Sequence, residues 1–474
     1  MTDLVSLTAA ARWRVRTSLC VALLAISGCG SLVQVPEFER PVVASKADWS
    51  RSLVETRQVD LKWWQGFGDQ QLDVLMELAL ADNPNLEVLA ARSEAAGAQI
   101  SQARARLLPI LNMGARTDTT SISGGTDLGT TNKYGTGGDL LWELDVWGKA
   151  RRGVRAQQAA FAATEADWRA GYLVTAASVA GAYFQIRQTD QQLEQQQAAL
   201  ARGREILSLY LRMQDEGMVP ETRVLQQRSE VEQLEAGRLE LERVRAVTVN
   251  ALATLLGRPA GEFSVPATDD LDELKPLTVP VGLPSELLAR RPDLLAAENR
   301  LLQAVQLEGQ ARLAQLPTIG LTGLGGSASH GLGDLLSTWT SGLSGVVQFP
   351  VFNPNVRAQI KVSQAQVGVA EAEYRAAVFA AFEEVETLLV NLDSRRAQQQ
   401  RLDARLGQLR TVQDHTLTQL ELGLISRLEV LERERTLLGA EQAVLSNQWQ
   451  LATDTVALFK AIGGGWDPDF VAAR

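Results

Sequence analysis

The chain is written twice. Offset against itself by a little over 200 residues, Asn83-Pro84-Asn85-Leu86 aligns with Arg291-Pro292-Asp293-Leu294, Leu108-Pro109 with Leu316-Pro317, and Val146-Trp147 with Val351-Phe352. Arg152 then falls on Arg357, Gly217 on Gly423, and Leu256-Gly257 on Ile462-Gly463. Because the register barely drifts over such a length, any fold for one half must also serve the other. The repeats are read as 69–262 and 285–463, joined by a linker at 263–284 and followed by a tail at 464–474.

Each half carries the same order of patterns: a medium helix, a β-hairpin, a very long helix, a tight turn and another long helix. The hairpins span about 110–147 and 317–352. From Leu140 to Val146 the apolar residues Leu140, Trp142, Leu144 and Val146 lie on one side with Asp139, Glu143 and Asp145 on the other, and Leu111, Met113 and Ala115 alternate with Asn112, Gly114 and Arg116 before a Gly/Ser/Thr loop at 121–138. Ile319 and Leu321 open the second hairpin, and Leu343, Val347 and Phe349 close it. Alternation alone fits two soluble hairpins. It also fits four membrane strands of about ten residues each.

Three considerations favour the membrane. Beyond the N-terminus no run of ~20 apolar residues offers a spanning helix. Trp142, Trp147, Trp339, Phe349 and Phe352 fall within or at the ends of the hairpins, where interfacial aromatics belong. Four strands cannot close a barrel, since the smallest membrane barrels need about eight, so copies of the chain must share one.

From Gly148 to Met213 there is no proline, and Trp168, Tyr172, Val179, Tyr183, Ile186, Leu193 and Leu200 keep coiled-coil spacing. The same rhythm runs through Leu388, Leu392, Leu402, Leu406 and Leu409, and through Leu428, Leu431, Leu438, Leu445, Trp449 and Phe459. Some 65 residues at a ~1.5 Å rise make a helix of roughly 100 Å. Such a length suits a structure that crosses a compartment better than a globular core. Turns centred on Gly217 and Gly423 fold each long helix back on its partner. A coiled coil without a duct would have the same heptads, but would leave the duplicated hairpins without a purpose.

Residues 1–28 read as an export signal: Arg12, Arg14 and Arg16 precede the apolar run Leu19 to Ile26. The run ends in Ile26-Ser27-Gly28-Cys29, which resembles the lipobox of bacterial lipoproteins and makes Cys29 the acylated first residue of the mature chain. The alternative is an ordinary cleaved signal with an incidental cysteine. The only other cysteine, Cys20, lies inside the signal, so no disulfide forms. Gly30 follows without an acidic residue, and residues 29–68 are read as a lipidated extended segment.

The net charge of −10 argues against nucleic-acid binding. With two histidines, His330 in a loop and His415 near a turn, no metal-spaced pair, no nucleophile elbow and no phosphate-binding loop, neither an enzyme nor a cofactor is indicated.

The segment Leu283-Pro284-Ser285-Glu286-Leu287-Leu288-Ala289-Arg290-Arg291-Pro292-Asp293-Leu294 reads as a short helix capped by Ser285, a break, and a helix with Pro292 in its first turn. It resembles the arginine-proline motif of TolC/NodT-type outer-membrane efflux channels. Asp145-Val146-Trp147-Gly148 and Trp63-Trp64 with Phe67 and Asp69 are similar to that branch as well, and the resemblance covers nearly all of the mature chain. It implies a mixed α and β fold: a homotrimer with a 12-stranded outer-membrane β-barrel, four strands per chain, continuous with a periplasmic α-helical barrel. It further implies a lipid-anchored passive duct for small molecules, fed by an inner-membrane resistance-nodulation-division transporter through a periplasmic adaptor. A type I protein-secretion duct and a periplasm-spanning structural lipoprotein are the alternatives.

Acidic residues just past the second turn ring the closed pore in this family. Alignment on Gly423 and Val430 carries that role to Glu429 and Glu432, with Arg427 as the cation that would pair across chains at the gate. Here glutamates stand where the family usually has aspartates. A solvated, ion-paired helix face would look the same in sequence.

Overall fold

The computed structural model describes residues 33–43, 49, 62–122, 129–266, 277, 279 and 284–464. The signal, Cys29, most of the linker and the tail lie outside these residues. A 3-10 turn at Trp63–Phe67 leads into α1 (Gln70–Asp82) and α2 (Pro84–Ala105), then β1 (Ile110–Ile122) and β2 (Gly129–Leu144). The long α3 (Lys149–Asp215) follows, with its return helix α4 (Glu221–Leu255). The second half runs α5 (Pro284–Arg290), α6 (Pro292–Leu313), β3 (Thr318–Ser329), β4 (Thr340–Gln348), the long α7 (Pro354–Glu421) and α8 (Arg427–Ala461). Two expectations shift. Strand β2 begins at Gly129, so most of the 121–138 stretch is ladder rather than loop, and α5 begins at Pro284 rather than being capped by Ser285.

One compact unit gathers 92–165 and 296–376 with the N-terminal segment. Its sheet is antiparallel in the order β1-β2-β3-β4, so β1 and β4 are edges. The register places Leu111, Leu140, Gly323 and Leu343 in one row across all four strands, and Leu144, Ile319 and Val347 in another. On the opposite face Asn112 donates to Asp139 at 3.0 Å and Arg116 lies 3.5 Å from Asp118. Period-two alternation thus yields an apolar face and a polar one. Glycines let the central strands meet closely: a Cβ on Gly137 would lie 2.6 Å from the Gly325 carbonyl oxygen.

In the same unit the N-terminal segment lies along α6. Val35 packs at Gly309, Phe38 on Leu301 and Val305, and Arg40 grips Glu298 with two bonds of 2.8 and 2.9 Å. Arg312 donates to the Gln34 carbonyl and Arg152 to that of Pro36. Going backwards from Arg40, the strap follows α6 towards its C-terminus, where β3 begins.

The second unit gathers 43–91, 166–295 and 377–474. Its core collects the seam residues Val179, Tyr183, Ile186, Leu392, Trp449 and Phe459 with the early tryptophans, while Leu389 is buried in place of the expected Leu388, which packs only partly buried against it. Trp63 stacks on Phe459 at 5.0 Å and Phe67 meets Phe184 edge-on at 4.9 Å. Each such fully buried large side chain contributes about 2–3 kcal/mol. Asp69 caps α1 by accepting from Gln71 and Leu72, and the Tyr183 hydroxyl donates to its other oxygen.

The duplication is visible in matching joints within this unit. Asn83 donates to the Leu255 carbonyl at 2.8 Å, and Arg291 donates to the Ala461 carbonyl at 2.8 Å. Each satisfies a carbonyl orphaned at the end of a return helix. Gly257 and Gly463 follow with φ of +67° and +88°, where a Cβ would strike the carbonyls of Asp82 and Arg290. Arg291 goes beyond Asn83 by also pairing with Asp293 and Glu384 at 2.8 Å each.

Candidate functional site

The strand-to-helix seam is built around Asp145. After β2 ends, Gly148 turns the chain at φ +82° and α3 begins. Asp145 accepts from the backbone N–H groups of Ala150 and Arg151 at 2.9 and 3.0 Å and from the Arg151 Nε at 3.0 Å. Burial works against its charge, but these donors and the Arg151 cation prevail and hold the carboxyl below its ordinary value. A carboxylate at a helix N-terminus is favoured by the free N–H groups and the dipole.

The predicted aromatics divide in two. Trp142 donates its indole N–H to the Leu107 carbonyl at 3.0 Å, and Trp147 donates to that of Pro317 at 2.7 Å. Both tie the seam to the residues at or just before the two hairpin prolines, a role that sequence spacing did not suggest. Trp339, Phe349 and Phe352 remain 62%, 54% and 78% exposed at the ends of β4. Among the described residues no helix is long and apolar enough to cross a membrane, and Leu343, Val346 and Val347 on β4 stand exposed.

The helical tips form the second place of interest. Gly217 at φ +73° and Gly423 at φ +72° end their helices identically: Met218 donates to the Met213 carbonyl and Leu424 to that of Gln419, both closing six-residue rings. Ser426 caps α8 and forms a capping box with Glu429, each side chain bonding the other residue's backbone N–H. Glu429 therefore has a local structural task, while Glu432 is exposed with no ion pair among the described residues.

Arg427 reaches Glu205 on α3 with two bonds of 3.1 and 3.4 Å and lies 3.7 Å from Glu434. Glu434 also accepts from Arg202 at 2.8 Å, and Arg435 pairs with Glu230 at 2.6 Å. The Glu205 carboxylate raises the proton affinity of Arg427, with burial opposing it weakly. No sequence pattern marks Glu205, Arg202 or Glu434. A helical charge gives no sign of its partner when that partner lies over 200 residues away.

An amphipathic four-stranded sheet with open edges, running directly into paired helices much longer than a domain core needs, defines the membrane-channel class of protein. The chain belongs to the Outer membrane efflux protein family, whose model matches residues 75–258 and 283–464. It is 31% identical over 472 residues to the probable efflux pump outer membrane protein TtgC of Pseudomonas putida, covering 95% of each chain. It is 30% identical to the probable outer membrane lipoprotein SilC of Salmonella typhimurium, covering 93% of this chain and 96% of that one. The open-state structure of the MtrE outer membrane channel of Neisseria gonorrhoeae superimposes with a TM-score of 0.81 at 28% identity, covering 91% and 98%. The protein is thus an outer-membrane channel component of an efflux pump, with a TolC-like fold built from two family repeats.

Proposed function

We propose that three copies of the chain pool their strands into one 12-stranded barrel and form a passive duct for small toxic compounds. The observation that carries this reading is the open sheet. With β1 and β4 both unpaired on their outer sides, a single copy would expose backbone groups that hydrocarbon cannot satisfy, at several kcal/mol each. Native mass spectrometry of the purified protein is expected to give a trimer that conducts in planar bilayers. A membrane-inserted monomer, or a trimer without conductance, would overturn it.

The duct would receive its cargo from a resistance-nodulation-division transporter through a periplasmic adaptor meeting the tips at Gly217 and Gly423. Membership in an efflux family supports this assignment. Cys29 would carry the lipid: the ISGC boundary and the lipoprotein relative both favour it, as does a strap that leads back towards the strands. The gate would lie at Arg427, Glu429 and Glu432. The Arg427–Glu205 pair suggests that closure rests on a latch between the two hairpins of one chain as well as on contacts between chains.

A further inference from the structure

A groove at the foot of the strands serves none of these purposes. Between the end of α2 and the first turns of α3 lies an open concavity of about 440 Å³, in the size range of small-ligand sites. Leu107, Leu108 and Val154 line it together with Gln158 and the aliphatic stems of Arg104, Arg151 and Arg155, whose guanidinium groups stand at its exposed margin. Arg151 is committed to Asp145. Neither Arg104 nor Arg155 has a carboxylate partner among the described residues. In a chain with a net charge of −10, this is a local excess of positive charge. The neighbouring Arg152 feels it, its proton affinity being lowered by burial first and by Arg155 next.

Position narrows the occupant. Leu108 lies two residues before the first residue of β1, and the Trp142 indole is bonded to Leu107, so the rim sits where the strands begin. Arg152, on the adjoining flank of α3, touches the N-terminal strap at Pro36. With Cys29 acylated as proposed above, its lipid would end in the leaflet, and the flank of α3 that the strap touches would face the membrane. A free phosphate would leave the leucines bare. The chain's own acyl group would leave the arginines unanswered, and a zwitterionic lipid brings a competing cation.

We propose that the groove binds an anionic phospholipid of the periplasm-facing leaflet, its phosphate between Arg104 and Arg155 and an acyl chain over Leu107, Leu108 and Val154. The proposal rests on the outer-membrane placement of the strands. Guanidinium suits phosphate because its fork of donors matches the oxygens, and basic residues near a membrane each strengthen anionic-lipid binding by about fivefold.

The full-length protein, delipidated in detergent, would be titrated with phosphatidylglycerol and with phosphatidylcholine of the same acyl chains, and retained lipids counted by native mass spectrometry. The wild type is expected to retain phosphatidylglycerol in preference, and the Arg104→Gln, Arg155→Gln double variant to lose that preference by on the order of 25-fold. Both arginines are exposed, so the variant should keep the wild-type assembly mass and conductance, which separates failure of this site from failure of the duct. Equal retention of the two lipids by the wild type, or an undiminished preference in the double variant, would overturn the proposal. So would a marked gain of phosphatidylglycerol retention in Cys29→Ala over the wild type, which would assign the groove to the chain's own lipid.

Discussion

Removing Arg427 tests the tip most directly, and its size can be worked from the geometry. Arg427 and Glu205 have side chains 42% and 43% exposed, so their two bonds of 3.1 and 3.4 Å count as a surface pair contributing about 0.5 kcal/mol. Glu434 is less exposed, but keeps Arg202 when Arg427 is gone, so little is left unpaired there. In a three-copy assembly whose hairpins open together, three latches amount to roughly 1.5 kcal/mol, or about tenfold in the ratio of open to closed states. Arg427→Ala should therefore raise open probability in single-channel recordings by about tenfold. Glu205→Ala should do nearly the same, and the double variant little more, because both remove one interaction. Strict additivity of the two effects, or an open probability unchanged in either single variant, would refute the latch. High salt should shrink the wild-type advantage, as it does for exposed ion pairs.

Glu429→Gln with Glu432→Gln should lower cation selectivity in bilayer recordings while leaving α8 intact, since glutamine also completes a capping box; unchanged selectivity would make the pair ordinary surface charge. Asp145→Ala should cost about 1–2 kcal/mol through loss of the α3 cap, read as a lower unfolding temperature by circular dichroism. Because the folded carboxyl is held below its ordinary value, that stabilisation is fully present at neutral pH and is lost as pH falls through the lowered folded value, so wild type and variant should converge in strong acid. Gly137→Ala, whose new methyl would press on the Gly325 carbonyl, should cost about 1–3 kcal/mol and reduce assembled barrel recovered from membranes, whereas Gly342→Ala has open space and should not.

The sequence by itself determined whatever depends on residue order along one element. Alternation set the two faces of the sheet, heptad spacing set the seams that bury Val179, Tyr183 and Leu392, and the positive-φ glycines 217 and 423 set where the helices turn. The self-alignment even paired Leu256-Gly257 with Ile462-Gly463, which occupy matching joints in the fold. These signals are legible because backbone geometry repeats with a short period, so the code is local. The 121–138 stretch reads as loop because glycine and threonine suit loops in isolation, yet close packing against Gly325 and Gly326 makes glycine the residue that the ladder requires.

Only the tertiary structure decided which distant groups meet. Arg427 and Glu205 stand 222 positions apart, Arg291 and Ala461 170, and Trp147 and Pro317 170. Nothing in the local pattern distinguishes Glu205 from the other charges on its helix, and the indoles of Trp142 and Trp147, expected as membrane anchors, satisfy the carbonyls of Leu107 and Pro317. Arg104 and Arg155, without a carboxylate partner among the described residues, belong to the same category, because the lack of a partner is a statement about everything nearby. Periodicity fixes which face of an element is buried, but long-range pairing depends on how the elements are set against one another, and that is specified by the packing of the whole chain.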